Sequence, residues 1–151
     1  MLPWFVLTTP RNTLNSFIRS KENAVSITQI DVGTPTNQYL FQDSAMGNSV
    51  DGIKSSSALL LFVKVDNSQN ISAPSYVKLF NLSNLSVTLG ATPPDEIIYA
   101  PGGSVVTHEY FTGAVVGVTF NTALSAACVT QGGTAGTVSP ASPVVVTVSY
   151  V

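Results

Sequence analysis

From about residue 24 onward the chain repeats one pattern, short runs of alternating apolar and polar residues broken by Pro, Gly and Asn at intervals of roughly 8–12 residues. A period of two puts alternate side chains on opposite faces of an extended chain. Helical periodicity is almost absent. Its best candidate is "TLNSFIRSKEN" (13–23), where Leu14, Phe17 and Ile18 fall at i, i+3 and i+4. That stretch is too short to be stable alone and β-branched residues follow at once.

The runs predict strands near 58–66 (ALLLFVKVD), 75–82, 85–89 (LSVTL), 96–100, 104–111, 114–120, 123–130 and 143–150. "AVSITQIDV" and "QYLFQD" add two more, the first with a phase slip between Ile27 and Ile30 that suggests a bulge or a bend. "DSAMGNSVDGIKSSS" (43–57) reads as turn chemistry, with Asp51-Gly52 as a tight turn. The expected fold is therefore all-β: an antiparallel β-sandwich, jelly-roll or immunoglobulin-like, with an extended N-terminal arm. Residues 1–24 form the arm and 25–151 the sandwich domain, its strand-rich core at about 58–151. In the last strand, Val144, Val146, Val148 and Tyr150 should share one face.

The segment before that strand, "GGTAGTVSPASP", raises the question of a phosphate cradle. Such a cradle needs backbone donors at a helix N-terminus, usually with a Lys. Neither a helix pattern nor a Lys follows, so the segment reads as a turn.

Charged residues make up 9% of the 151, against roughly 25% in typical soluble domains. The surface must then be built from neutral polar groups, which suits a protein that meets other protein. A net charge of −2 leaves no electrostatic footprint for nucleic acid. The opening "MLPWFVLTTPRN" lacks a basic n-region and its apolar run is broken by Pro3, so it does not read as a signal peptide. "ALLLFV" falls far short of the roughly 20 residues that span a bilayer. These features point to a soluble chain made in a cytoplasm, with no membrane partner.

Chemistry has little to work with. Cys128 is the single cysteine, so no internal disulfide forms, and "LSAACVTQ" looks like a half-buried strand. His108, the single histidine, sits beside Glu109 in "VVTHEYF" without a nucleophile motif nearby, which leaves a hydrolase reading weak. Asp95 and Glu96 are adjacent and would face opposite ways on a strand. Asp31, Asp43 and Asp51 could gather on loops, yet no calcium-loop spacing supports this. No catalytic residue, metal ligand or cofactor is expected. Trp4, Phe5 and Leu7, in an apolar start set apart from the strands by Thr8-Thr9-Pro10, are instead candidate interface anchors.

Two stretches carry a resemblance: "VKLFNLSNLSVTLGATPPDEIIYAPGGS" and "GVTFNTALSAACVTQGGTAGTVSPASPVVVTVSYV". A K-L-(Y/F)-N strand, a T-x-P-D turn, an F-x-T-A-L-S-x-A-C-V-T strand and a G-T-A-G-T-x-S-P turn follow in order. Over about residues 78–151 the chain resembles structural proteins of tailed-bacteriophage virions, of the small capsid decoration (cement) type. The resemblance implies a non-enzymatic protein made in the host cytoplasm and placed on the capsid surface. Its partners would be the major capsid protein or another virion protein, with self-association as a trimer or dimer. The alternatives are a tail, neck or head-fibre component, or a carbohydrate-binding or adhesin module.

Overall fold

The computed structural model describes residues 17–18, 25–30, 38–112 and 115–151. The strands are β1 (Phe17–Ile18), β2 (Val25–Ile30), β3 (Gln38–Met46), β4 (Asp51–Lys54), β5 (Ala58–Asp66), β6 (Ser75–Phe80) and β7 (Glu96–Ala100). They continue as β8 (Val105–Glu109), β9 (Phe111–Thr112), β10 (Val115–Val116), β11 (Val118–Phe120), β12 (Leu124–Val129) and β13 (Val144–Tyr150). Every pairing is antiparallel.

The larger sheet runs β1-β2-β3-β13-β5-β11, with β8 also on β5, and the smaller runs β4-β12-β6-β7. Between them lies one apolar core. The larger sheet contributes Phe41, Leu60, Val63, Val65, Val144, Val146 and Val148; the smaller contributes Val77, Leu79, Ile98, Leu124, Ala126 and Cys128. This is the expected all-β sandwich. Each such valine or leucine stabilises the fold by about 1.5–3 kcal/mol through burial. The alternation expected in β13 holds: Val144, Val146, Val148 and Tyr150 are buried on the core side.

Two bulges shift the buried phase of a strand by one residue. In β3, Val144 opposes Met46 while Val146 opposes Asp43, so the strand carries one extra residue. Asp43 spans that irregularity, its Oδ1 accepting the Ala45 N–H at 2.8 Å. In β5 the core phase passes from Leu60 to Val63 across a register shift opposite Ser149 and Tyr150. There the edge of β5 changes partner, β11 covering 58–60 and β8 covering 62–66. The Leu61 carbonyl takes its hydrogen bond from Tyr110 instead.

Several expectations are corrected. Residues 85–89 form no strand; Asn84–Ser86 make a turn of 3-10 helix, and Leu85 points outward at 92% exposure. The alternation there serves no sheet because its apolar residue has nothing to pack on. Asp51-Gly52 is no turn but the start of β4, drawn into the smaller sheet by pairing with β12. Phe17 and Ile18, which lie in the span read as an arm, are extended and pair with β2. The slip suggested after Ile27 produces no bulge; β2 and β3 pair in continuous register from Val25 to Ile30. Residues 1–16 lie outside the described residues, as does Asp31.

The strand "LSAACV" is buried at all six positions, not half-buried as expected. The reason is the segment 130–143, which lies over the outer face of the smaller sheet. Lys78 projects beneath it at 0% exposure and donates to the carbonyls of Gly136 (2.6 Å) and Thr134 (3.2 Å). Desolvation holds this amine below its ordinary range. A phosphate cradle turns N–H groups toward an anion; this loop turns carbonyls toward a cation. It is a roof pinned by a buried lysine. Gly133 takes the left-handed turn conformation at φ 70°, while Gly132 allows close approach, since a Cβ there would sit 3.0 Å from the Tyr76 ring.

Candidate functional site

Residues with chemical potential are scattered over the sandwich, with one exception. His108 lies on β8, on the edge of the larger sheet, exposed, its ring 5.3 Å from that of Tyr110. Cys128 is buried in the other sheet, and burial pushes its thiol up to about 12, leaving no thiolate near neutral pH. The two do not form a nucleophile–base pair. Asp95 is exposed and accepts the Asn81 N–H, while Glu96 begins β7. Among the described residues, no group of three or more His, Cys, Asp or Glu is placed to hold a metal ion. Replacing His108 by Ala should shift stability by less than about 0.5 kcal/mol, as for exposed positions generally. A melting temperature well below wild type would show that its ring is part of the Tyr110 packing.

The exception is Asp43 and Asp51. Of the three aspartates that could have gathered on loops, these two meet on strands, one from each sheet. Asp43 lies on β3 at 3% exposure, and Asp51 stands half-buried on β4. Burial first, and then the Asp43 charge and hydrogen bond, push Asp51 up to about 6. Two carboxyl groups in contact can share one proton but cannot both ionise without repulsion. The sequence signal was hidden, because Asp51 precedes Gly52 in a composition typical of turns and Asp43 looked like the end of a strand.

Aromatic residues divide between core and surface. Tyr150 stacks on Tyr39 at 5.6 Å between ring centres, and its hydroxyl donates to the Ile53 carbonyl at 3.3 Å. Tyr110 packs against the core with its hydroxyl buried, and burial together with nearby Glu96 raises that group above its ordinary range. Tyr76 and Tyr99 form a pair that reaches the surface. They oppose each other across β6 and β7, 5.2 Å apart, with Tyr99 at 54% exposure. Other exposed apolar side chains are Ile71, Leu85, Val105, Val118 and Val138. Trp4, Phe5 and Leu7 fall outside the described residues.

Among the described residues no helix is long and apolar enough to cross a membrane. No protein-family model matches the chain, and no curated protein matches it. Among solved structures, the Drosophila melanogaster CENP-C cupin domain aligns over 94% of this chain and 81% of its own, at 9% identity and a TM-score of 0.32. Likeness at that level bears on neither architecture nor activity.

Proposed function

We propose that this protein is a non-enzymatic structural component of a tailed-bacteriophage virion, a decoration protein that binds and stabilises the capsid exterior. The observation that carries the reading is the sequence resemblance over about residues 78–151. Those residues supply the second half of β6 and all of β7 to β13, including most of the smaller sheet and the loop that roofs it. The low charge and the scattered exposed apolar side chains support a role in broad protein contact. A shell repeats each contact many times, so individually weak contacts, reinforced by self-association, suffice. Trp4, Phe5 and Leu7 are the proposed anchors in a neighbouring subunit, since large aromatics dominate interface energetics.

The test is rebinding. Purified protein added to source particles that lack it should saturate at symmetry-related capsid positions and raise the temperature at which the shell disrupts. Deleting residues 1–10 should weaken that binding while the sandwich stays folded, and a folded His108→Ala variant should bind normally. A reconstruction of the source particle with no density for the chain on its capsid would overturn the assignment; density in the tail, neck or fibres would reassign it there.

The Tyr76–Tyr99 pair favours a second reading, a carbohydrate-binding or adhesin module, because paired exposed rings can stack on sugar faces. Glycan-array binding that disappears in Tyr99→Ala would support it.

A further inference from the structure

The larger sheet ends on an edge that the fold leaves unguarded. β8 pairs with β5, in register from Phe62 opposite Glu109 to Asp66 opposite Val105. The ladder continues past both ends, with the Asn67 N–H on the Ser104 carbonyl at 2.8 Å and the Tyr110 N–H on the Leu61 carbonyl at 2.9 Å. Bonded pairs alternate along an antiparallel ladder, so Ser104, Val106, His108 and Tyr110 turn their backbone groups toward β5. Val105, Thr107 and Glu109 turn theirs away, each with an N–H and a carbonyl facing outward. Among the described residues no strand takes them. Val105, Thr107, His108 and Glu109 are exposed. The other edge strands of this sheet, β1 and β11, have two and three residues, whereas β8 has five. It carries no Pro, Lys or bulge, the usual guards of an exposed edge. The face beside it is also unfinished. Val106 and Tyr110 pack against the core, but His108, between them in the same phase, stays exposed.

We propose that the β8 edge receives, as an added strand, residues 4–9 of a second copy of this chain. The inference rests on the reading of residues 1–10 as an interface segment and adds the surface that receives them. The segment "WFVLTT" lies between Pro3 and Pro10, so every residue in it has a backbone donor, and its six residues suit the five of β8. Alternate side chains of an added strand fall on the core side, either Trp4, Val6 and Thr8 or Phe5, Leu7 and Thr9. In both phases large apolar groups cover the ground around His108. Charge agrees. Residues 1–16 contain no acid and one cation, Arg11, whereas residues 79–151 contain no Lys or Arg, and their acids Asp95, Glu96 and Glu109 lie at β7 and β8. Reach favours a second copy over the chain's own arm. β1 is at the far edge of the same sheet, five strand spacings from β8, or about 24 Å. The seven residues 10–16, left between the added strand and β1, extend to at most about 25 Å. The chain's own arm would have to run taut across the whole sheet, and a neighbour's arm escapes that constraint.

Thr107→Pro blocks the edge without parting β8 from β5, since the amide it removes faces outward. Sedimentation velocity over a concentration series reads the self-association of the full chain, of Thr107→Pro and of the chain lacking residues 1–10. The full chain should associate, and each variant alone should do so about tenfold or more less tightly. Thr107→Pro keeps the arm and the deletion keeps the edge. Mixed, they should form a one-to-one complex at concentrations where neither associates with itself, which requires arm and edge on different molecules. If the deletion weakens association and Thr107→Pro does not, the interface reading stands and the β8 assignment falls. The reverse result means that β8 pairs with something other than the arm, and overturns the proposal equally. A monomeric full chain overturns it too, while capsid rebinding by the deletion variant still judges the arm by itself. Thr107→Lys, at the same exposed position, takes the place of Thr107→Pro should that variant lose the cooperative melt of wild type.

Discussion

Val146→Asp should abolish the cooperative thermal transition, or lower its midpoint by well over ten degrees. Val146 has no exposure and sits in β13, which is paired on both sides, by β3 and by β5. An uncompensated buried carboxylate costs several kcal/mol, while a whole domain is stable by only about 5–15 kcal/mol. The site is worse than an ordinary core position. Val146 lies directly opposite Asp43, so the new carboxyl would sit beside an acid that is already buried. Side chains at such paired positions have Cβ atoms about 5 Å apart, and like charges there repel. Whatever fold survives should therefore be more stable at pH 5 than at pH 8, where protonation can no longer relieve the crowding. A melt within a degree or two of wild type at both pH values would show that this face is not core.

Asn67→Ala should come next, costing about 3–5 kcal/mol without introducing any charge. Asn67 has no exposure, and its amide gathers three loops at one end of the sandwich. Nδ2 faces the carbonyls of Ala73, Ala100 and Pro101 at 3.0, 3.2 and 3.1 Å. Oδ1 accepts from Asn70 Nδ2 at 2.9 Å and from the Ser75 hydroxyl at 2.8 Å. Asn70 extends the network by bonding both the N–H and the carbonyl of Ser142. Truncation strands several buried groups at once, and each unsatisfied group costs about 1–3 kcal/mol. Chemical denaturation read by circular dichroism measures the loss, with Ser83→Ala as the control. Ser83 makes only an exposed contact with Ser86, so its removal should change stability by less than about 0.5 kcal/mol. Equal stability for the two variants would contradict the role assigned to Asn67.

The same residues explain what could be read in advance. Alternation determined β5, β6, β7, β12 and β13 because each has a face that must leave water, and burial in a sheet imposes a period of two. It failed at "LSVTL", where alternation exists without a surface to bury against. It failed also at Asp51, whose strand is held by pairing with β12, and pairing is a long-range event that local composition does not record. The complete burial of Cys128 and Lys78 was likewise hidden. Both depend on a Gly- and Pro-rich segment folding back over its own sheet, and a buried lysine is stable only because two backbone carbonyls arrive from 56 and 58 residues away. The carboxyl pair is the sharpest case. Asp43 shares the inward phase of Phe41 on β3 and Asp51 lies on the opposite sheet, so neither position marks the other in sequence. By itself the sequence determined an antiparallel sandwich, since solvent exclusion acts on every strand separately. Only the tertiary structure decided which polar groups were carried inside, because that depends on which elements meet.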